Sequence, residues 1–377
     1  MVVDLRGFKS AKERRVGVEK ELQIKLQNIA SYAFDEAIVS SRNCENVIGA
    51  IHVPLGIAGP LKIINDQSYY LPLATTEGAL VASVNRGCKA ISLSGGATVY
   101  VENVGMTRGP VFKAKNLGTA MKAEIWIEEN FKYLAKIAAS TSSHLKLLKA
   151  DYKVLGRNLF VRFYFDTQDA MGMNMVTIAT EEMAKIIEQK TKATCVSLAG
   201  NFDIDKKPAW LNFILGRGKK VWAEVVLPKK VVGEILKTTP EKIAEVVERK
   251  VHLGSILSGS LGFNAHFANI IAAIFLATGQ DPAHVVEGSL GVTDAEILEN
   301  GDLYFSIYLP ALMVGTVGGG TNLATQKEAL SIMGVQNSKE FAEIIAGAVL
   351  AGELSLLASL AEGSLARAHE RLGREKR

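Results

Sequence analysis

Cysteine is scarce: Cys44, Cys88 and Cys195 are the three in 377 residues, widely spaced and without a CxxC pair. That pattern argues against a disulfide framework or a zinc site and for free thiols in a reducing cytosol. A dominant charge is missing too, since 43 Lys and Arg against 39 Asp and Glu leave a net +4. No basic block is interleaved with aromatics, so nucleic acid is set aside as a partner, whereas a mild positive bias suits an anionic metabolite. The opening MVVDLRGFKSAKERR is polar from Asp4, which excludes a secretory signal and predicts a cytoplasmic protein with no membrane anchor. At GTVGGGTNL (315–323) Leu323 stands where a GxGxxG fingerprint needs its third glycine, and no Walker A lysine follows any glycine-rich turn. A dinucleotide, if bound, is held in another way.

What is present is apolar and long. Residues 254–280 contain no Asp, Glu, Lys or Arg and end on Asp281-Pro282. Asn264, His266, Asn269 and the serines before them suit a lipid-facing span poorly, so the stretch is read as a central buried helix. Gly279 and Pro282 give its stop signal. Asp281 is then expected near the negative end of the helix dipole, where a carboxylate is harder to ionise. A length of 377 residues, 48% hydrophobic and 22% charged, exceeds one ordinary core and predicts two domains, or one carrying an insertion.

In chain order, residues 1–42 read as a charged lead and a helical arm, with Val18, Leu22, Leu26, Ile29 and Ala33 at spacings of three or four. The first part of a large domain, 43–109, begins with short strands broken by Gly and Pro over 46–72. A helix follows that Thr75 or Thr76 caps, bearing Leu80, Val81, Val84 and Cys88 on one side and Glu77 in its first turn. Residues 110–197 alternate as β-α-β-β-α-β, a ferredoxin-like pattern. Leu117, Met121 and Ile125 mark its first helix, and Val176, Ala179, Met183 and Ile186 its second. The fold class is therefore α+β: a large domain around a central buried helix, with a small domain inserted. Residues 198–377 complete the large domain, with a mobile tail from about 364. GNFDIDKKPAW (200–210) sets Asp203, Asp205, Lys206 and Lys207 between apolar flanks, where a cleft meets the core. Residues 342–365 form a helix rich in Gly and Ala that packs closely on a neighbour.

The stretches ENVIGAIHVPLGIAGPL, ATTEGALVAS, NRGCKAI, GMTRGPV, DAMGMNM, DKKP, NAHFANI, GQD, GTVGGGTNL and AGELSLLA occur in this order over roughly 45–369. Together they resemble 3-hydroxy-3-methylglutaryl-CoA reductase of class I, in its soluble archaeal form. The resemblance implies an inserted NADP(H)-binding domain, an HMG-CoA site, and active sites shared across a homodimer, with a tetramer as the alternative. It implies a catalytic set of Glu77, Lys206, Asp281 and His369. Substrate contacts fall on Ser83, Asn85, Arg108, Asp205, Lys207, Lys250, Asn269 and Leu356. Cofactor contacts fall on Ser142, Ser143, His144, Asp169, Met171, Gly172, Met173, Asn174, Met175, Gly318, Gly319 and Thr321. No metal is implied.

The chemistry fits those residue types. Hydride addition to a thioester creates an oxyanion, which an ammonium such as Lys206 stabilises where charge develops. A histidine such as His369 protonates the departing CoA thiolate near neutral pH. Glu77 donates a proton to the mevaldehyde oxygen if a neighbouring carboxylate such as Asp281 raises its pKa. Three departures stand out, one being Glu375 about where animal enzymes carry a phosphorylatable serine, so the resemblance implies that this control is absent. Ala199 replaces a serine before GN, and Ser143 replaces the arginine that faces the 2′-phosphate, leaving Ser142, His144 and Lys146 to meet one. The implied reaction is reduction of (S)-3-hydroxy-3-methylglutaryl-CoA to mevalonate and free CoA by two hydrides from NADPH, with NADH left open by Ser143. The alternatives are NAD-dependent mevalonate oxidation, or a catalytically silent CoA-binding homologue.

Overall fold

The computed structural model describes residues 7–63 and 67–363. Its strands are β1 (Leu55–Ile63), β2 (Gln67–Ala74), β3 (Thr98–Arg108), β4 (Val111–Lys113), β5 (Lys146–Leu155), β6 (Asn158–Asp166), β7 (Thr194–Ser197), β8 (Gly218–Leu227), β9 (Gly262–Phe263), β10 (Gly291–Ile297) and β11 (Leu303–Leu312). The hairpin β1-β2 stands apart. The other nine strands form one sheet, ordered β7-β4-β6-β3-β8-β11-β10-β9 with β5 beside β6. Strand β3 makes that sheet continuous, because residues 98–105 pair with β8 and residues 106–108 with β6.

The antiparallel order β7-β4-β6-β5 is the ferredoxin-like arrangement. It differs from the expected element order in one respect: Asn130 breaks the first helical segment into Leu117–Glu129 and Phe131–Thr141. The residues that marked this helix, Leu117, Met121 and Ile125, are exposed, while Ala120, Ala123 and Ile127 are buried. Small side chains let this helix lie close on the sheet, so volume misled the sequence reading.

The charge-free stretch is not one helix. It leaves the widened helical segment Val247–Gly254 as a short helix Ser255–Ser258, passes through strand β9, and becomes regular only at Phe267–Thr278. The element enclosed by the core is instead Ser338–Glu362, of 25 residues. It is the one described helix long and apolar enough to cross a membrane, and 78% of its apolar window is buried inside the protein. Phe341, Ile344, Ile345, Val349, Leu350, Leu354 and Leu357 are fully buried along it, each worth roughly 1.5–3 kcal/mol. Helix Leu80–Leu93 crosses it so closely that a Cβ on Gly87 would lie 1.9 Å from the carbonyl oxygen of Ala351.

The N-terminal helix runs over Ala11–Leu22 and stops at Gln23, in the left-handed conformation. Leu22 is therefore exposed, and Ala11, Val39 and Val47 make the arm's contact with Leu323 of the main body. The predicted stripe through Ala33 does not exist as one helix face.

Candidate active site

The segment that carries the charged tetrad is an irregular loop between β7 and helix Trp210–Leu215. Asn201, Ile204 and Lys206 adopt φ of 61°, 52° and 57°, conformations that cost a non-glycine residue about 1 kcal/mol or more each. The surroundings hold them there. Asp203 is buried, and its backbone carbonyl accepts from Thr107 Oγ1 at 2.9 Å while its carboxylate meets Arg108 at 3.4 Å. Burial pushes its carboxyl up, against the pull of Arg217 and Arg108. The Lys206 backbone N–H donates to Glu287, which is itself fully buried. Arg217, at the foot of β8, stands 3.0 Å from both Asp205 and Glu287 and donates through Nε to Thr107 Oγ1 at 2.8 Å.

Lys206 projects its ammonium to Asp281, with Nζ 3.1 Å from Oδ2, and both side chains remain partly exposed. The sequence expectation for Asp281 is reversed here. Gly279 ends helix Phe267–Thr278 in a left-handed turn, and Asp281 becomes the N-cap of Pro282–His284, accepting from Ala283 N at 3.0 Å. Partial burial raises its pKa. The Ala283 N–H, Lys206 and His284 outweigh that and hold it below the ordinary carboxylate value.

Glu77 lies elsewhere. The helix that follows it begins at Leu80, capped by neither threonine, so Glu77 belongs to the preceding turn rather than to a first helical turn. Its carboxylate accepts from Asn269 Nδ2 at 2.9 Å. Asn269 sits in the first turn of Phe267–Thr278, whereas Asp281 lies beyond the opposite end. At 1.5 Å per residue these two positions are roughly 15 Å apart along the helix. One chain thus gathers Lys206 with Asp281, and Glu77 with Asn269, but does not bring the pairs together. His369 lies outside the described residues, as do Glu375 and the tail from 364.

The remaining substrate candidates lie on several elements. Ser83 Oγ donates to Ser355 Oγ at 3.0 Å, next to half-buried Leu356 on the central helix. Asn85 Oδ1 accepts from Gly59 N at 3.0 Å. Lys207 bonds the Asp205 carbonyl at 3.0 Å, and Lys250 is exposed on Val247–Gly254.

The cofactor candidates converge on one turn. Gly172, at φ 88°, N-caps helix Met173–Thr191, whose first backbone N–H groups have no side-chain cap. Such a terminus suits an anion. The backbone of Ala170 bridges Val317, and Thr316 N donates to Asp169 O at 2.8 Å, which sets residues 318–321 beside it. His144 Nδ1 lies 2.9 Å from Gln168 Oε1 and brings in the turn with Ser142 and exposed Ser143. The Asp169 carboxylate is occupied by Ser338 N, at 2.8 Å, at the start of the central helix. Sequence reasoning missed Arg217, His284 and Glu287, although Asp281, His284 and Glu287 recur every three residues.

A family model described as hydroxymethylglutaryl-coenzyme A reductase matches residues 10–374. The chain is 53% identical to the 3-hydroxy-3-methylglutaryl-coenzyme A reductase of Methanocaldococcus jannaschii, covering 98% of this chain and 94% of that one. It is likewise 53% identical to the Pyrococcus horikoshii protein of that name, covering 96% and 91%. Among solved structures, the class II enzyme of Streptococcus pneumoniae bound to NADPH superposes with a TM-score of 0.71 at 20% identity. That match spans 93% of this chain and 97% of the other, and shows the shared fold.

Proposed function

The chain belongs to the hydroxymethylglutaryl-coenzyme A reductase family, and on that premise we propose that it reduces (S)-3-hydroxy-3-methylglutaryl-CoA to mevalonate and free CoA with NADPH. The observation that carries the mechanism is the Lys206–Asp281 pair at 3.1 Å, partly open to solvent. Asp281, held below the ordinary carboxylate value, fixes the position of the lysine side chain, so the cation is in place before the thioester carbonyl becomes an oxyanion. Arg108, anchored by Asp203, and Lys207 are the cations assigned to the free carboxylate of the acyl group. His369 is assigned to the CoA thiolate and Glu77, oriented by Asn269, to the aldehyde oxygen.

NADPH, when bound, supplies the two hydrides. The residues fit such a group: the uncapped helix start at Met173 offers backbone donors, and Gly318 and Gly319 face open space. Ser142, Ser143 and His144, on the turn joined to Gln168, are assigned to the ribose phosphate.

We assign the chain to class I and to the cytoplasm, as a homodimer with shared active sites. Low identity to the class II structure and three free cysteines support the first two. The separation of Glu77 from Lys206 supports the third, as does an exposed apolar edge formed by Ile51, Val53, Leu55 and Ile57. Purified enzyme assayed with HMG-CoA tests the reading. Turnover with NADPH that Lys206→Ala abolishes, CoA still binding, is expected; substantial activity in that variant removes Lys206 from the oxyanion. A strong preference for NADH overturns the cofactor assignment.

A further inference from the structure

Lys206 is held twice, by Asp281 at its ammonium and by Glu287 at its backbone N–H. Between these two carboxylates lies a histidine that the proposed mechanism does not use. His284 is 1% exposed, with Nε2 3.8 Å from Asp281 Oδ2 and 4.0 Å from Asp205 Oδ1, and Nδ1 3.5 Å from Glu287 Oε2. Neither ring nitrogen has a hydrogen-bond partner, and neither does Glu287 Oε2. Buried polar atoms are rarely left so. The donor atoms of Asp205, His284 and Glu287 lie within 4.8 Å of one another. However, Arg217 stands 3.0 Å from both acids, so a divalent cation would share two ligands with a fixed guanidinium.

We propose that His284 is a positioning residue for Lys206, acting through Asp281 and Glu287. Asp281 Oδ2 faces the lysine and the imidazole at once. When the ammonium turns toward the oxyanion, the imidazole closes on Asp281, which keeps a partner, and the lysine is released without leaving a bare buried-side carboxylate. On its other edge the ring braces Glu287, which fixes the left-handed backbone of Lys206. Asp205 and Lys206 face the cluster from the loop and Arg217 from β8, with Arg162 and Asp203 behind Arg217.

The inference rests on Lys206 acting at the oxyanion, so Lys206→Ala is assayed alongside. His284→Gln and His284→Leu are expected to lower kcat by on the order of 10- to 100-fold, the scale of a misplaced reacting group. The KM for HMG-CoA and for NADPH stays within about threefold, since ground-state contacts are untouched. Glutamine retains more activity than leucine, and the acidic limb of the pH profile changes in both. Folded variants with wild-type kcat and pH profile overturn the proposal; activity surviving in Lys206→Ala overturns the reading beneath it instead. A measurement on the unmodified enzyme needs no variant to fold. With its six histidines labelled, the His284 ring nitrogens are expected to shift when HMG-CoA binds, and a ring that does not respond refutes the bracing role.

Discussion

Two inactive variants are predicted to restore activity when combined. Helix Phe267–Thr278 has 12 residues, about 18 Å of rise. Glu77 is tied to Asn269 at its start, and Lys206 to Asp281 past its end. Groups acting on one carbon must approach to about 3–3.5 Å, and a misplacement of about 1 Å already costs about 100-fold. A chain acting alone therefore cannot use both, and each site of the proposed dimer takes Lys206 from one subunit and Glu77 from the other. In a mixed dimer of Lys206→Ala with Glu77→Gln, one site carries both lesions and the other neither. Doubly tagged mixed dimers should then show roughly half of wild-type kcat, and random re-association roughly a quarter, because half of the dimers are mixed. The assay is NADPH oxidation after two-step affinity purification. Mixed dimers as inactive as either parent would show that both residues act from the same chain, and would refute the division of the site drawn from the helix.

Gly172→Ala should raise the NADPH KM by on the order of 10- to 100-fold with CoA affinity unchanged. Its Cβ would lie 2.4 Å from Thr167 Cγ2, and φ is 88°; Thr167→Ser in the same chain, which removes that methyl, should recover part of the loss, as steady-state kinetics would show. Gly87→Ala should destabilise by at least about 3 kcal/mol in urea titration, because the added methyl meets Ala351 O at 1.9 Å. The Asp281 carboxyl sits below its ordinary value, so its stabilising effect is present above about pH 4 and lost as pH falls through the folded-state pKa. Wild type should accordingly lose its advantage over Asp281→Asn on acidification, a difference that thermal melts across pH would reveal. Cys88 is fully buried and its thiol is pushed up to about 12 by burial; a thiol reagent should label exposed Cys44 in the native protein and reach Cys88 only on unfolding.

Elements that local chemistry decides were legible. The alternation Leu159, Val161, Phe163, Phe165 is strand β6 with all four side chains buried. Thr239-Pro240 begins a helix whose capping hydroxyl accepts from Lys242 N. Lys206 and Asp281, the pair proposed to act at the oxyanion, were legible through motifs, and their pairing is a finding of the structure. Which apolar segment the protein encloses was not legible. Residues 254–280 lack charge yet bend repeatedly, while Ser338–Glu362 carries Glu353, an acid that marks a surface by composition. That acid is fully buried, because it accepts from Ala265 N, His266 N and Thr293 Oγ1. A buried carboxylate with three donors is a structural cap rather than a surface group, and its donors come from segments distant in sequence.

Asp281 shows the same dependence at the scale of two residues. Had the helix continued through Gln280, the aspartate would have met the unpaired carbonyls of its C-terminus, and ionisation would have been opposed. Gly279 at φ 71° turns the chain instead, and the aspartate meets the N–H groups that start the next turn, 3.0 Å from Ala283 N. Reversing the local dipole reverses the sign of the shift, and with it the chemistry. An aspartate kept neutral would leave Lys206 as a lone cation on a strained loop, whereas an ionised one holds the lysine at 3.1 Å, where the proposed mechanism has it shared with an oxygen that becomes charged only in the transition state. The pairing of lysine and aspartate therefore depends on the glycine that stops the helix, a residue outside the pair itself.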